Sequence, residues 1–246
     1  QGANGVEVHH VRRVVDEVSR AATTSYEDAP TVTQLVPQLP PAGTVVKEEQ
    51  LVDSDTWRWQ LSNGITVLLK ETDFQNDEVL IAATSPGGTS VVGDKKFRAA
   101  MAAPDVLGAS GAGAADQRAL ERWLAGKRLT LNLWVSSEGE SINGSSSVAD
   151  LPAFFEYLHA SIAAPRRDEK ALAVWKANQL EELARRRDMP EMAFQEDSTN
   201  YLTQGYARMR PITAGQVQAI SMDDVMSTFA DRFANPADFT YVIVGS

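Results

Sequence analysis

Trp57, Trp59 and Leu61 alternate with Arg58 and Gln60, Asn63-Gly64 follows, and Ile65–Leu69 runs back. Alternation on both sides of Asn-Gly predicts a β-hairpin, because both residues of that pair tolerate positive φ. Val79–Thr84 is an apolar run of strand length and reads as a buried strand ending at Pro86-Gly87-Gly88. From Asp94 through Ala103 the pattern turns helical, and a small-residue loop, Ser110-Gly111-Ala112-Gly113, leads to a second helix, Asp116–Ala125, stopped at Gly126-Lys127. Leu129, Leu131, Leu133 and Val135 then restore the two-residue period, and a further strand leads into Gly144-Ser145-Ser146.

The clearest helix comes next. Leu151, Phe154, Phe155, Leu158 and Ile162 fall on one stripe behind Asp150, a good N-cap residue, and Pro165 ends it. A second helix runs from Asp168 towards Asp188 with Leu172, Trp175, Leu180 and Leu183 in one arc, and Pro190 breaks it before another helical stretch, Glu191–Gln204. Asp223–Ala234 reads as a helix and Phe239–Val244 as a terminal strand. Strands at both ends, paired helices and a central hairpin predict an α+β domain: a mostly antiparallel sheet with helices packed on one face.

The first 47 residues differ. Val8, Val11, Val15 and Val18 mark a helix over Val6–Ala22, and Pro30, Pro37, Pro40 and Pro41 then punctuate an extended stretch. Residues 1–47 are therefore expected to be the end of a preceding region and a Pro-rich linker, and 48–246 the domain.

A hydrophobic content of 43% over 246 residues supports a sizeable core. The longest apolar runs, such as Val79–Ala83 and Tyr241–Val244, fall far short of the ~20 residues a membrane span needs, and no signal peptide is visible at Gln1. Net charge of −10 argues against a nucleic-acid partner. Arg166-Arg167 and Arg185-Arg186-Arg187 sit among glutamates and read as solvated helix faces. The absence of cysteine removes disulfides, thiolate catalysis and Cys-based zinc sites, and fits an exported bacterial protein, periplasmic or secreted.

Candidate chemistry is sparse. Zinc needs three or four converging ligands, and the only histidines are His9, His10 and His159. His9 and His10 are adjacent on a helix and diverge by about 100°; His159 has only Glu156 near it on its own helix. Neither H-x-x-E-H nor H-E-x-x-H occurs. Ser110 lacks the G-x-S-x-G context, Ser145-Ser146-Ser147 reads as strand and capping chemistry, and Gly111-Ala112-Gly113 completes no phosphate-binding motif. Asn143-Gly144-Ser145 matches a glycosylation triplet, a pattern frequent by chance. Glu138 and Glu140 share one side of a strand and are expected at an exposed edge or turn. No catalytic, cofactor-binding or metal-binding residue is assigned.

The order of elements resembles the peptidase M16 (pitrilysin/insulinase-like) family, and in particular the non-catalytic repeat opening the second half of such a peptidase, a domain of the LuxS/MPP-like metallopeptidase type. The resemblance is carried by Leu61-Ser62-Asn63-Gly64-Ile65-Thr66-Val67, Pro86-Gly87-Gly88-Thr89-Ser90, Ser110-Gly111-Ala112-Gly113 with Leu124-Ala125-Gly126-Lys127, Gly144-Ser145-Ser146, Asp150-Leu151, and Asp231–Pro236 with Phe239–Gly245. It spans roughly Val46 to Ser246. In active members an inverted zinc motif lies on the helix after the Gly-Gly turn; here Lys96–Val106 holds neither His nor Glu. The resemblance thus implies a non-catalytic domain of a zinc metalloendopeptidase, forming part of a peptide-substrate chamber opposite the zinc-bearing half. The alternative is a structural or assembly subunit that pairs with a separate catalytic subunit. Either way this chain alone is expected to be inactive, with zinc in the catalytic half and a peptide as substrate.

Overall fold

A computed structural model describes residues 12–13, 16–17, 32–187 and 189–245. The chain divides into two units, Gln1–Pro30 and Thr31–Ser246. In the first unit Arg12, Arg13, Asp16 and Glu17 are helical, with Arg13 and Glu17 paired across one turn at 3.9 Å; the rest of the helix expected over Val6–Ala22 lies outside the described residues.

The second unit is built on strands β1 (Val45–Leu51), β2 (Thr56–Leu61), β3 (Thr66–Glu71), β4 (Val79–Pro86), β5 (Leu129–Val135), β6 (Gly139–Ser146) and β7 (Thr240–Gly245). They form one seven-stranded sheet in the order β1-β2-β3-β7-β4-β6-β5. Every pairing is antiparallel except β3 with β7, so the sheet is mixed but mostly antiparallel. The helices are α1 (Phe97–Gly108), α2 (Gln117–Leu124), α3 (Leu151–Ala163), α4 (Glu169–Arg187), α5 (Pro190–Leu202), α6 (Ala214–Ala219) and α7 (Met222–Phe233). Ile81, Ala83, Ile142 and Tyr241 face them from the sheet and meet Val106, Phe154, Val225 and Phe229 in one core. Stacked rings at 4.6 Å (Phe229–Phe233) and 5.9 Å (Phe233–Phe239) join α7 to the start of β7. The opposite face carries Leu80, Thr84, Asn132, Trp134, Asn143, Thr240 and Val242, all exposed.

Four features depart from the expectations. β1 falls partly within the stretch read as linker, because Val-Val-Lys-Glu-Glu-Gln-Leu shows little apolar alternation. The β2–β3 turn is not a two-residue Asn-Gly loop: Gly64 alone takes positive φ (88°), Leu61 and Ile65 close the loop, and Ser62, Asn63 and Gly64 form the three-residue version with glycine in the left-handed position. Asp150 does not cap α3 through its side chain. Its carboxylate instead accepts from the Arg128 amide at 2.9 Å and the Ser147 hydroxyl at 2.7 Å, tying the start of β5 to the end of β6; these bonds, Ser147 first, hold its pKa below the usual carboxylate value. Finally, Leu35 and Val36 are buried against Ala115, Leu120 and Ala160, with the Leu35 amide on Glu156 at 2.6 Å and its carbonyl accepting from Ala114 at 2.8 Å.

Candidate functional site

The Gly87-Gly88 turn at the end of β4 is laced to the β5–β6 loop and the start of β6 by four successive amides. Gly87 donates to the Glu138 carbonyl (2.7 Å), Gly88 to Glu140 Oε1 (2.9 Å), Thr89 to Ser136 (2.9 Å) and Ser90 to Ser137 (2.9 Å). Gly88 has φ of 58°, and a Cβ there would stand 2.5 Å from the Ser136 oxygen and from the Gly139 nitrogen, so the approach of the two backbones requires glycine. Below the turn lies Glu140, 1% exposed. Besides the Gly88 amide its Oε1 faces Arg232 at 3.6 Å, whereas Oε2 is buried without a hydrogen-bond partner. The expectation that Glu138 and Glu140 share an exposed edge or turn is corrected: Glu138 is in the turn, and Glu140 points into the core beside Ile142, the register partner of Ala83.

The helix after the turn is α1, the position at which the resemblance places the zinc motif of active members. Its inward positions are Ala99, Ala100, Ala102, Ala103 and Val106, all buried. Methyl-sized side chains let α7 pack closely, and Pro104 inside the helix adds no donor. Asp105, the carboxylate on α1, is exposed. At the N-terminal end two guanidinium groups approach the Phe97 ring, Arg98 at 4.6 Å and Arg208 at 5.1 Å from its centre. Arg208 is committed: it donates to the carbonyls of Thr89 (2.5 Å) and Val92 (2.6 Å) and pairs with Asp94 at 2.6 Å. Arg98 donates to the Arg210 carbonyl, and burial lowers its pKa. Among the described residues no group of three or more His, Cys, Asp and Glu side chains could hold a metal ion. The donor set on α1 therefore does not fit zinc.

His9 and His10 lie outside the described residues, and His159 is half-buried on α3. Ser110 is fully buried and its hydroxyl donates to the Val106 carbonyl at 2.8 Å, closing the end of α1. Ser147 accepts from the Asp150 amide at 3.2 Å, a bond within the turn before α3 rather than the helix cap expected. Gly144 sits beneath Phe154, where a Cβ would come within 2.4 Å of the ring. Arg185 and Arg186 pair with Glu182 at 2.7 and 3.1 Å along the exposed face of α4.

Sequence reasoning missed the hollows along β5. One of about 210 Å³ lies beside Leu131–Leu133, walled by Pro104 and Leu107 of α1 and Tyr157 of α3. The next, about 570 Å³, adjoins Trp134 and Val135 and is walled by Phe97, Met101, Tyr206 and Met209. Tyr206 and Met209 come from a loop after α5 whose spacing carries no signal. The inward aim of Glu140, by contrast, follows from counting two residues back from Ile142.

No family model matches the chain. The chain is 24% identical over 209 residues to the probable zinc protease PqqL of Escherichia coli K12, covering 84% of this chain and 22% of that protein. It is 22% identical over 243 residues to a zinc protease PQQL-like protein of Arabidopsis thaliana, covering 97% and 23%. The crystal structure of the periplasmic protease PqqL superposes with a TM-score of 0.76 at 20% identity, over 98% of this chain and 26% of that one. A peptidase M16 inactive domain from Pseudomonas fluorescens gives 0.62 at 15% identity, over 77% and 46%. The fold is that of an M16 peptidase domain. The chain spans under a quarter of the length of the curated relatives it matches.

Proposed function

We propose that this chain is the non-catalytic M16-type domain of a zinc metalloendopeptidase and forms part of the wall of a peptide-substrate chamber opposite the zinc-bearing half. One observation carries the reading: the inward positions of the helix behind the Gly-Gly turn are four alanines and Val106, with no metal-ligating side chain among them. Hydrolysis through zinc needs a Lewis acid with an open position and a base beside it, and α1 offers neither. What the domain supplies instead is a rigid wall. Its exposed sheet face is uncharged at the centre, with Ala82, Asn143, Thr240 and Val242, a surface compatible with many peptide side chains. On this reading the residues before β1 include the end of the preceding half and the connection to this domain, with Leu35 and Val36 already in the domain's core. The two-subunit alternative is less favoured, because the match to PqqL covers only 22% of a longer single chain.

The test is direct. The purified chain is analysed for zinc and incubated with a quenched peptide substrate, with and without chelator. Expected are no stoichiometric zinc and no chelator-sensitive turnover; turnover proportional to this chain and abolished by chelator refutes the assignment.

A further inference from the structure

The sheet has two edges and treats them differently. β1 is blunted: Lys47, Glu48 and Glu49 charge it, and its register with β2 shifts between Val45 and Lys47. Charges and irregular register are how sheets discourage an added strand. β5, Leu-Thr-Leu-Asn-Leu-Trp-Val, has no charge, proline or glycine and pairs with β6 without a shift over all seven residues.

The hydrogen-bonding parity of β5 fixes what it offers. The Ser147 amide donates to the Arg128 carbonyl and the Ser136 amide to the Gly139 carbonyl, so even-numbered residues from 128 to 136 stand at the hydrogen-bonded positions towards β6. The N–H and C=O groups of Leu129, Leu131 and Leu133 therefore point away from the sheet, and no neighbouring element among the described residues bonds to them. The two hollows lie along this line, the larger with Met101 and Trp134 at its rim, 48% and 61% exposed.

We propose that β5 is a docking edge: an extended, largely apolar peptide segment adds to it as an eighth strand and seats side chains in the two hollows. The occupant follows from the geometry. A second copy of the chain would bring a β5 whose leucines are committed to its own core, leaving the hollows unfilled, whereas a free peptide presents side chains to both faces. The cation at the larger hollow, Arg208, is neutralised by Asp94, so an uncharged side chain is favoured there. The proposal deepens the chamber reading and rests on it for the class of ligand.

The experiment follows amide exchange by NMR in the intact chain with a blocked probe peptide of about eight residues, alternating threonine and leucine around a phenylalanine and ending in lysine. A control probe is N-methylated at every second amide, which removes main-chain donors and keeps the side chains. The proposal expects new protection at Leu129, Leu131 and Leu133 with the first probe and none with the control. Trp134→Glu and Met101→Lys, both at exposed side chains, should each weaken probe binding about tenfold. It is overturned if the control binds as well, if those amides stay unprotected, or if they are protected without peptide in a concentration-dependent dimer. Mass spectrometry of the same probe keeps the two readings apart: chelator-sensitive cleavage refutes the non-catalytic assignment, whereas an intact probe without edge protection overturns only the docking edge.

Discussion

Glu140 offers the sharpest test of how the Gly-Gly turn is held. Replacing it with alanine strips the buried Gly88 amide of its acceptor, a loss of about 1–3 kcal/mol. The same change removes one of the two carboxylates beside Arg232 and leaves a void under the turn. Breaking a fully buried ion pair costs roughly 3–5 kcal/mol, but Arg232 keeps 17% exposure and a second carboxylate, Asp231, at 2.9 Å. The ionic part is therefore the smaller share, and the total for Glu140→Ala comes to about 3–5 kcal/mol. Glu140→Gln retains an acceptor for Gly88 and the side-chain volume, so its cost falls to about 1–2 kcal/mol. Urea unfolding followed by circular dichroism reads both; with a slope near 3 kcal/mol per molar, the alanine variant shifts the midpoint by about 1 M or more. An alanine variant within 1 kcal/mol of the parent, or a glutamine variant equally damaged, refutes this account of the turn.

Leu35→Ala, at a fully buried site, should cost about 2–4 kcal/mol in the same assay; a change under 0.5 would show that the segment before β1 is not part of the domain. Tyr241 lies in the core with its hydroxyl pushed up by burial to about 12. An acid with a raised folded pKa gives stability that is complete below pH 10 and is lost as pH climbs towards 12, by up to about 2.7 kcal/mol. Stability curves from pH 9 to 12 should therefore fall more steeply for the parent than for Tyr241→Phe, and identical slopes would contradict the burial of this hydroxyl.

Periodicity exposed the elements whose two faces differ chemically. The alternation of Leu129–Val135 and most of the stripe Leu151–Ile162 meet core on one side and solvent on the other, Phe155 of the stripe being exposed, so α3 and β5 were legible. β1 was not, because as an edge strand with mostly exposed side chains it has no buried face to write a pattern. Leu35 and Val36 looked like linker because their docking depends on α2 and α3, over a hundred residues away in the case of Glu156. The Asn63-Gly64 pair signalled a turn correctly, but the register of the flanking strands decided its length. At the site, the emptiness of α1 could be read from residue types alone, whereas the commitment of Arg208 and the hollows along β5 arise only when loops distant in sequence converge.

The insertion of β7 between β3 and β4 has a consequence for how the chain is made. Until the ribosome has delivered residues 240–245, the β1–β3 meander and the β4–β6 group have no strand to join them, and Leu68, Leu69, Ile81 and Ala82 lie on bare flanks. Such non-local closure is slow and leaves sticky intermediates. A nascent chain stalled before Phe239 should therefore engage chaperones as two unjoined fragments, and should acquire protease resistance in a single late step once the last strand threads the gap.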